Sequence, residues 1–341
     1  MNRRDFGKAL AGSAAALWMP SGRRARLAGG SVPVERWSWA MGQPVRLVVY
    51  AASEDAGYEA AQAALAELRR IEAKLSVFDE ASDVAELNRR AGRGPLLVGD
   101  DLATVLAAAA RFERLTGGGF NLAVEPLMRA WGFRAPRANP PTARELAEAE
   151  EAVRYARIEL DGNRAALTAS HAAIDTGGIA VGYALDRAAA VLRAAGISRA
   201  LLDISGDCIA LGAPPGQSAW AIEVVNSVDA HPLRTVSLCD AALATSANTR
   251  ATVQVGRCVV GHVMDPLTGK PAVRLSQATA IARTGIEADA LSTAMLVTGG
   301  SYGGAAVPTL RLRASADQSR PSASSASRFS AARSGAPPPR F

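Results

Sequence analysis

The sequence predicts a single large α+β domain, and three observations lead there. Helix-period and strand-period segments are mixed without the regular strand–helix alternation that a parallel sheet requires. Apolar residues make up 49% of 341, enough for a sizeable core. The formal charge of +6 is not spread over the chain: residues 1–30 hold six Lys/Arg against one Asp, and residues 301–341 six Arg against one Asp, so residues 31–300 stand at −4. A mildly acidic body without a basic stripe excludes nucleic-acid binding. The division that follows is a signal segment at 1–30, one domain at 31–302 and a low-complexity tail at 303–341.

The chain starts Asn2-Arg3-Arg4-Asp5-Phe6-Gly7-Lys8 and continues with an apolar stretch over 9–19. That stretch is too short for an ordinary membrane helix but fits a charged-then-apolar export signal, and the paired arginines with Phe6 and Lys8 point to the twin-arginine route. The expected location is periplasmic. Arg23, Arg24 and Arg26 crowd the place where a cleavage site needs small residues, so retention as an N-terminal membrane anchor is the alternative. Export in folded form suits a protein that acquires its cofactor inside the cell.

Residues 45–50 are apolar and β-branched enough for a strand, and 58–75 place alanines and leucines at helical spacing. A second helix is expected at 101–115, with Asp100 or Asp101 as its N-cap. A third, at 142–153, opens with Thr142 and Glu145 in capping-box spacing. Residues 182–195 read as helix closed by Gly196. Strands follow around 200–204, 219–225 and 253–260. From 303 onward Ser, Ala, Arg and Pro dominate, ending in Pro337-Pro338-Pro339, a composition that buries too little apolar surface to order itself. Cys208, Cys239 and Cys258 form no CxxC, which removes zinc-ribbon and haem-attachment readings; three small buried residues are expected.

Four segments offer chemistry. Thr116-Gly117-Gly118-Gly119-Phe120-Asn121 closes the second helix; its glycines let backbone approach a ligand and Phe120 could pack on a ring, though a helix-terminating loop explains it equally well. Asp175-Thr176-Gly177-Gly178-Ile179-Ala180-Val181-Gly182 joins a strand end to a glycine turn and a helix start, which suits phosphate, yet it is neither a Walker sequence nor G-x-G-x-x-G. Asp289 and Thr293 lie four apart on one helix face and could offer oxygens to magnesium; equally, Asp289 could simply favour the helix dipole. His262 precedes the turn Asp265-Pro266-Leu267-Thr268-Gly269 and is one of only three histidines.

These segments, with Met41-Gly42, Leu75-Ser76-Val77-Phe78, Val124-Glu125-Pro126-Leu127, Trp131-Gly132-Phe133, Ser205-Gly206-Asp207 and Ala244-Thr245-Ser246 in the same order, resemble the ApbE family of FAD:protein FMN transferases over most of residues 37–300. The resemblance implies an α+β fold with FAD in a cleft and Mg2+ on its pyrophosphate. It assigns the Ala180 carbonyl, Asp289 and Thr293 to the metal, and Met41, Phe78, Gly119, Phe120, Asn121, Asp186 and His262 to the flavin nucleotide. The implied reaction moves FMN from FAD to a Thr or Ser hydroxyl of an acceptor subunit of a membrane redox complex and releases AMP, with Asp289 or His262 as the base. Four positions depart from the family's usual residues: Val181 in place of a polar one, Asn121 for aspartate, Ser205 for the first glycine of Gly-Gly-Asp, and Ala247 for the glycine of Thr-Ser-Gly. The alternative is a non-catalytic exported FAD-binding protein.

Overall fold

The computed structural model describes residues 30–249, 251–302 and 310–313. In chain order the elements are β1 (Val32–Ala40), β2 (Gln43–Ala51), α1 (Glu54–Leu75), α2 (Asp83–Arg89), β3 (Leu96–Leu97), α3 (Asp100–Leu115), α4 (Glu125–Ala130), α5 (Ala143–Tyr155), β4 (Ile158–Asp161), β5 (Arg164–Leu167) and α6 (Ala180–Ala194). The second half adds β6 (Ala200–Ile204), β7 (Asp207–Leu211), β8 (Trp220–Val225), β9 (Pro232–Leu238), β10 (Ala241–Ala247), β11 (Thr252–Val255), β12 (Cys258–Gly261), β13 (Met264–Asp265), β14 (Lys270–Pro271), β15 (Leu275–Ala282), α7 (Gly285–Thr298) and β16 (Leu310–Arg313). This is α+β.

The central sheet has seven strands in the order β1-β2-β6-β7-β10-β15-β16, each antiparallel to its neighbours. Alternation along the strands sorts the side chains. Val45, Leu47 and Val49 of β2 with Leu202 and Ile204 of β6 face the helices α1, α3, α6 and α7, whereas Val48, Leu201, Cys208 and Ala210 face the β8–β9 hairpin through Trp220, Ile222 and Leu238. A third cluster joins α4 and α5 to the β11–β12 hairpin around Leu127, Met128, Phe133 and Val260.

Helix starts follow their local chemistry. Ser53 caps α1 through Ala56 N at 3.2 Å, and Thr142 and Glu145 form the expected capping box at α5. The α3 start differs from expectation: Gly99 is the cap, Asp100 and Asp101 are the first two helical residues, and Asp101 pairs instead with Arg70 at 2.6 Å and the Tyr183 hydroxyl at 2.8 Å. Helix α6 begins at Ala180, two residues before the expected Gly182. The expected strand at 253–260 is two strands, because Gly256 turns the chain at φ +60° into the β11–β12 hairpin. All three cysteines are free, and only Cys208 is buried.

The tail reading is corrected at one point. Leu310–Arg313 pairs with β15 as an edge strand, since Leu-Arg-Leu-Arg keeps the period-two alternation a strand needs. The rest of 303–341 and the signal residues 1–29 lie outside the described residues.

Two helix starts interlock in the core. A Cβ on Gly182 of α6 would stand 2.1 Å from the Gly285 oxygen, and one on Gly285 of α7 would stand 2.3 Å from the Gly182 oxygen. That backbone contact lets each helix cap the other. Asp289 Oδ2 accepts from Gly182 N at 2.9 Å, and Asp186 accepts from Gly285 N at 2.6 Å and Ile286 N at 2.9 Å. Carboxylates at helix N-termini are favoured by the orphan N–H groups and the dipole. Gly182→Ala should therefore destabilise the domain by about 1–3 kcal/mol or more, as overpacking does. Urea unfolding measures this; an unchanged midpoint would mean that the helices separate without penalty.

Candidate functional site

A cavity of about 250 Å3 opens where the glycine loops, the β1–β2 turn, the β6–β7 turn and α7 converge. Met41, Phe78, Gly119, Phe120, Asn121, Ala180, His262, Asp289 and Thr293 all line it, although they span 253 positions of sequence from 41 to 293. Asp186 does not line it. Its carboxylate is spent on the first N–H groups of α7, so it supports the site by holding Asp289's helix rather than by meeting a nucleotide.

Each lining residue has a local reason for its place. Met41 sits at φ +55° beside Gly42 at φ +70°, where a two-residue turn joins β1 to β2 and requires left-handed backbone. Gly119 is held against Thr298, whose methyl would lie 2.3 Å from an added Cβ. Phe120 is buried and meets Phe112 edge-on at 6.2 Å between centroids, so its ring belongs to the core as much as to the wall. Asn121 Oδ1 accepts from Ala123 N at 2.7 Å and its Nδ2 donates to Glu113 at 3.3 Å, which makes it a loop brace. His262 follows β12, half-buried.

One end of the cavity is a cluster of oxygens. Asp289 is 5% exposed, and burial, with the neighbouring Asp207 charge, pushes its carboxyl well above the usual range despite the Gly182 N–H. Thr293 Oγ1 and Ser246 Oγ share a hydrogen bond of 3.0 Å, and Ser246 meets Ser292 at 2.8 Å. Asp207 Oδ1 accepts from Thr245 N at 2.8 Å. Gly178 brings the glycine loop against Thr293, its would-be Cβ lying 3.0 Å from Oγ1. Among the described residues no group of three or more His, Cys, Asp or Glu could hold a metal ion. A cation here would thus rest on one or two carboxylates with hydroxyl and carbonyl oxygens, which is how magnesium is bound beside phosphates. The buried carboxylate and its hard-oxygen neighbours fit magnesium.

Another part of the lining escaped sequence reasoning. Arg134 Nε donates to Glu125 Oε1 and Oε2 at 3.0 and 2.9 Å, its Nη2 reaches Asp175, and its guanidinium lies 4.9 Å from the centre of the Phe78 ring. Burial works against the Arg134 charge, but Asp175 and Glu125 outweigh it and hold the guanidinium protonated. Burial raises the Glu125 carboxyl in turn, against the pull of Arg134. Asp175 Oδ1 also accepts from Gly177 N at 2.7 Å, so this cluster fixes the start of the glycine loop. Glu125, Arg134 and Asp175 are too far apart in sequence for any spacing rule to join them. The signal available was an arginine directly after the buried Phe133 in an acidic body.

A helix-layered antiparallel sheet with one cleft, where a glycine loop and helix start face a buried carboxylate and hydroxyls, defines an α+β protein that handles a phosphate-bearing ligand. The ApbE family model matches residues 41–314, and the chain belongs to that family. It is 30% identical over 244 residues to the FAD:protein FMN transferase of Haemophilus influenzae, covering 68% of this chain and 70% of that one. To the FAD:protein FMN transferase of Treponema pallidum it is 29% identical over 293 residues, covering 80% and 81%. The crystal structure of the ApbE protein of Thermotoga maritima superposes with a TM-score of 0.72 at 31% identity, covering 79% of this chain and 87% of that one.

Beneath the β6–β7 turn, Asp203 accepts from Gly206 N at 2.8 Å while burial pushes its carboxyl up to about 6. The folded state then holds a proton more tightly than the unfolded chain, whose carboxyl titrates near the ordinary 3.8. Stability from this group is complete below about 4 and is lost as pH rises through 6. Asp203→Asn should flatten that segment of a melting-temperature profile and raise stability at pH 7 by up to about 3 kcal/mol. A parallel profile for the variant would sink this assignment.

Proposed function

We propose that this chain transfers FMN from FAD to a threonine or serine hydroxyl of an acceptor protein and releases AMP. Its enzyme class is FAD:protein FMN transferase. The observation that carries the reading is the convergence of buried Asp289, Thr293 and the glycine loop on one end of a cavity whose wall also presents Phe78.

The acceptor hydroxyl oxygen bonds to the FMN-side phosphorus, the P–O bond to AMP breaks, and the hydroxyl proton passes to a base. Magnesium, held by Asp289, Thr293 and the Ala180 carbonyl, would neutralise charge on the pyrophosphate, the term that dominates phosphoryl transfer. At the α6 start Ala180 N donates to Thr176 O and Gly182 N to Asp289, so what the helix adds for the same phosphates is chiefly its dipole. Asp289 already accepts from Gly182 N and faces the metal position, which leaves His262 as the proton acceptor on the lining. Arg134, neutralised by two carboxylates, is poorly suited to clamp phosphate and instead braces Phe78 and the glycine loop.

Acceptors belong to membrane redox complexes, and the enzyme reaches them by twin-arginine export, with residues 1–30 as signal or retained anchor. Among the described residues no helix is long and apolar enough to cross a membrane. The competing reading is an exported FAD-binding protein without transfer activity, favoured by Val181 standing in the glycine loop.

Incubation with FAD, magnesium and a flavin-acceptor protein, followed by intact mass of the acceptor, separates the two. Asp289→Asn keeps the shape and removes the charge, so flavinylation should fall roughly 100-fold or more, and Thr293→Val should lower it about 10-fold, with partial rescue at high magnesium. Full magnesium-dependent flavinylation by Asp289→Asn would move the metal elsewhere. Replacing Arg3 and Arg4 by lysine should leave the protein in the cytoplasm by fractionation; an unchanged periplasmic yield would dismiss the twin-arginine route.

A further inference from the structure

The turn between β6 and β7 consists of Ser205 and Gly206, at φ +52° and φ +103°, with Ile204 and Asp207 paired across it. Two-residue turns of this hand favour Asn-Gly, Asp-Gly and Gly-Gly, because both central residues need left-handed backbone. Serine at the first position keeps its Cβ in a region that L-residues avoid, and such strain persists where surrounding structure or function holds it. The sequence resemblance expects glycine there. The strained position therefore carries a side chain that the turn does not need.

That side chain is not used by the fold. Ser205 Oγ is buried and has no hydrogen-bond partner among the described residues, in an interior where buried hydroxyls are almost always paired. The Gly206 N–H of the same turn is already satisfied by Asp203. Ser205 lines the cavity beside its oxygen-rich end: Asp207, two residues on, also lines it and accepts from Thr245 N, next to the Ser246 that bonds Thr293. The hydroxyl donor at this position is thus uncommitted to any described residue.

We propose that Ser205 is a substrate-binding residue of this chain, its Oγ–H donating a hydrogen bond to a phosphate oxygen of FAD. This rests on the reading of the cavity as an FAD site. It assigns a side-chain contact, particular to this sequence, to a position where glycine could offer only backbone. The strain at the turn and the unmatched hydroxyl are then two sides of one requirement.

Two variants test it on the full chain, with flavin fluorescence titrations in magnesium and thermal melts as readouts. Ser205→Ala removes only the hydroxyl; the melting temperature should stay put while FAD binds about 10-fold more weakly, the scale of a hydrogen bond to a charged group. Riboflavin, which lacks phosphate, should bind Ser205→Ala as it binds wild type. Ser205→Gly should show the same loss for FAD and melt higher, because glycine relieves the backbone. Equal FAD affinity in wild type and Ser205→Ala overturns the proposal, as does an equal loss for riboflavin or a lower melting temperature in Ser205→Gly. If wild type binds FAD but transfers no FMN, the transferase reading fails while these constants still decide the phosphate contact.

Discussion

The whole site hangs on the contact between Gly182 and Gly285. Side-chain-free backbone at both positions lets the starts of α6 and α7 meet, and only at that distance can Asp289 cap one helix while Asp186 caps the other. The exchange places a carboxylate, the glycine loop and Thr293 at one end of the cavity. It also explains why α7 is buried on nearly every side and carries Asp289 and Ser292 in its interior. A helix with those residues would be unfavourable if its polar groups had no partners, and here the partners are other helix ends and hydroxyls.

Electrostatically the cavity is unbalanced by design. The Asp207 charge acts on Asp289 within a buried region, and Arg134, a buried cation on the wall, is consumed by Glu125 and Asp175. Burial first, and then the Asp207 charge, raise the Asp289 carboxyl, as happens where a carboxylate lacks a neighbouring positive charge.

Much of this was legible in sequence because it is local. The glycine loops, the Asp289–Thr293 spacing, the capping box at Thr142 and the strand at Ala200–Ile204 depend on neighbours within a few residues. What escaped depends on pairings across the chain. Asp186 sits in the expected helix and reads as a nucleotide contact until α7 is brought to it, and Arg134 gains meaning only when Glu125 and Asp175 flank it. The β11–β12 hairpin was hidden because its two strands are only four residues each and the turn between them is just Gly256-Arg257, so the pair reads as one strand. Strand β16 was masked by composition: four alternating residues are outweighed by the serine, arginine and proline around them, and only β15 supplies a reason to order them.

The position of β16 bears on how the protein is made. Strand β15 is eight residues long, almost entirely buried, and paired by β10 on one side only until β16 arrives. Because β16 follows α7, a nascent chain can assemble every other strand of the sheet while this edge still presents open backbone to whatever is nearby. Long apolar edges of that kind are templates for pairing between chains. Among the described strands the last to leave the ribosome is therefore the one that replaces the long edge of β15 with a short one of alternating leucine and arginine.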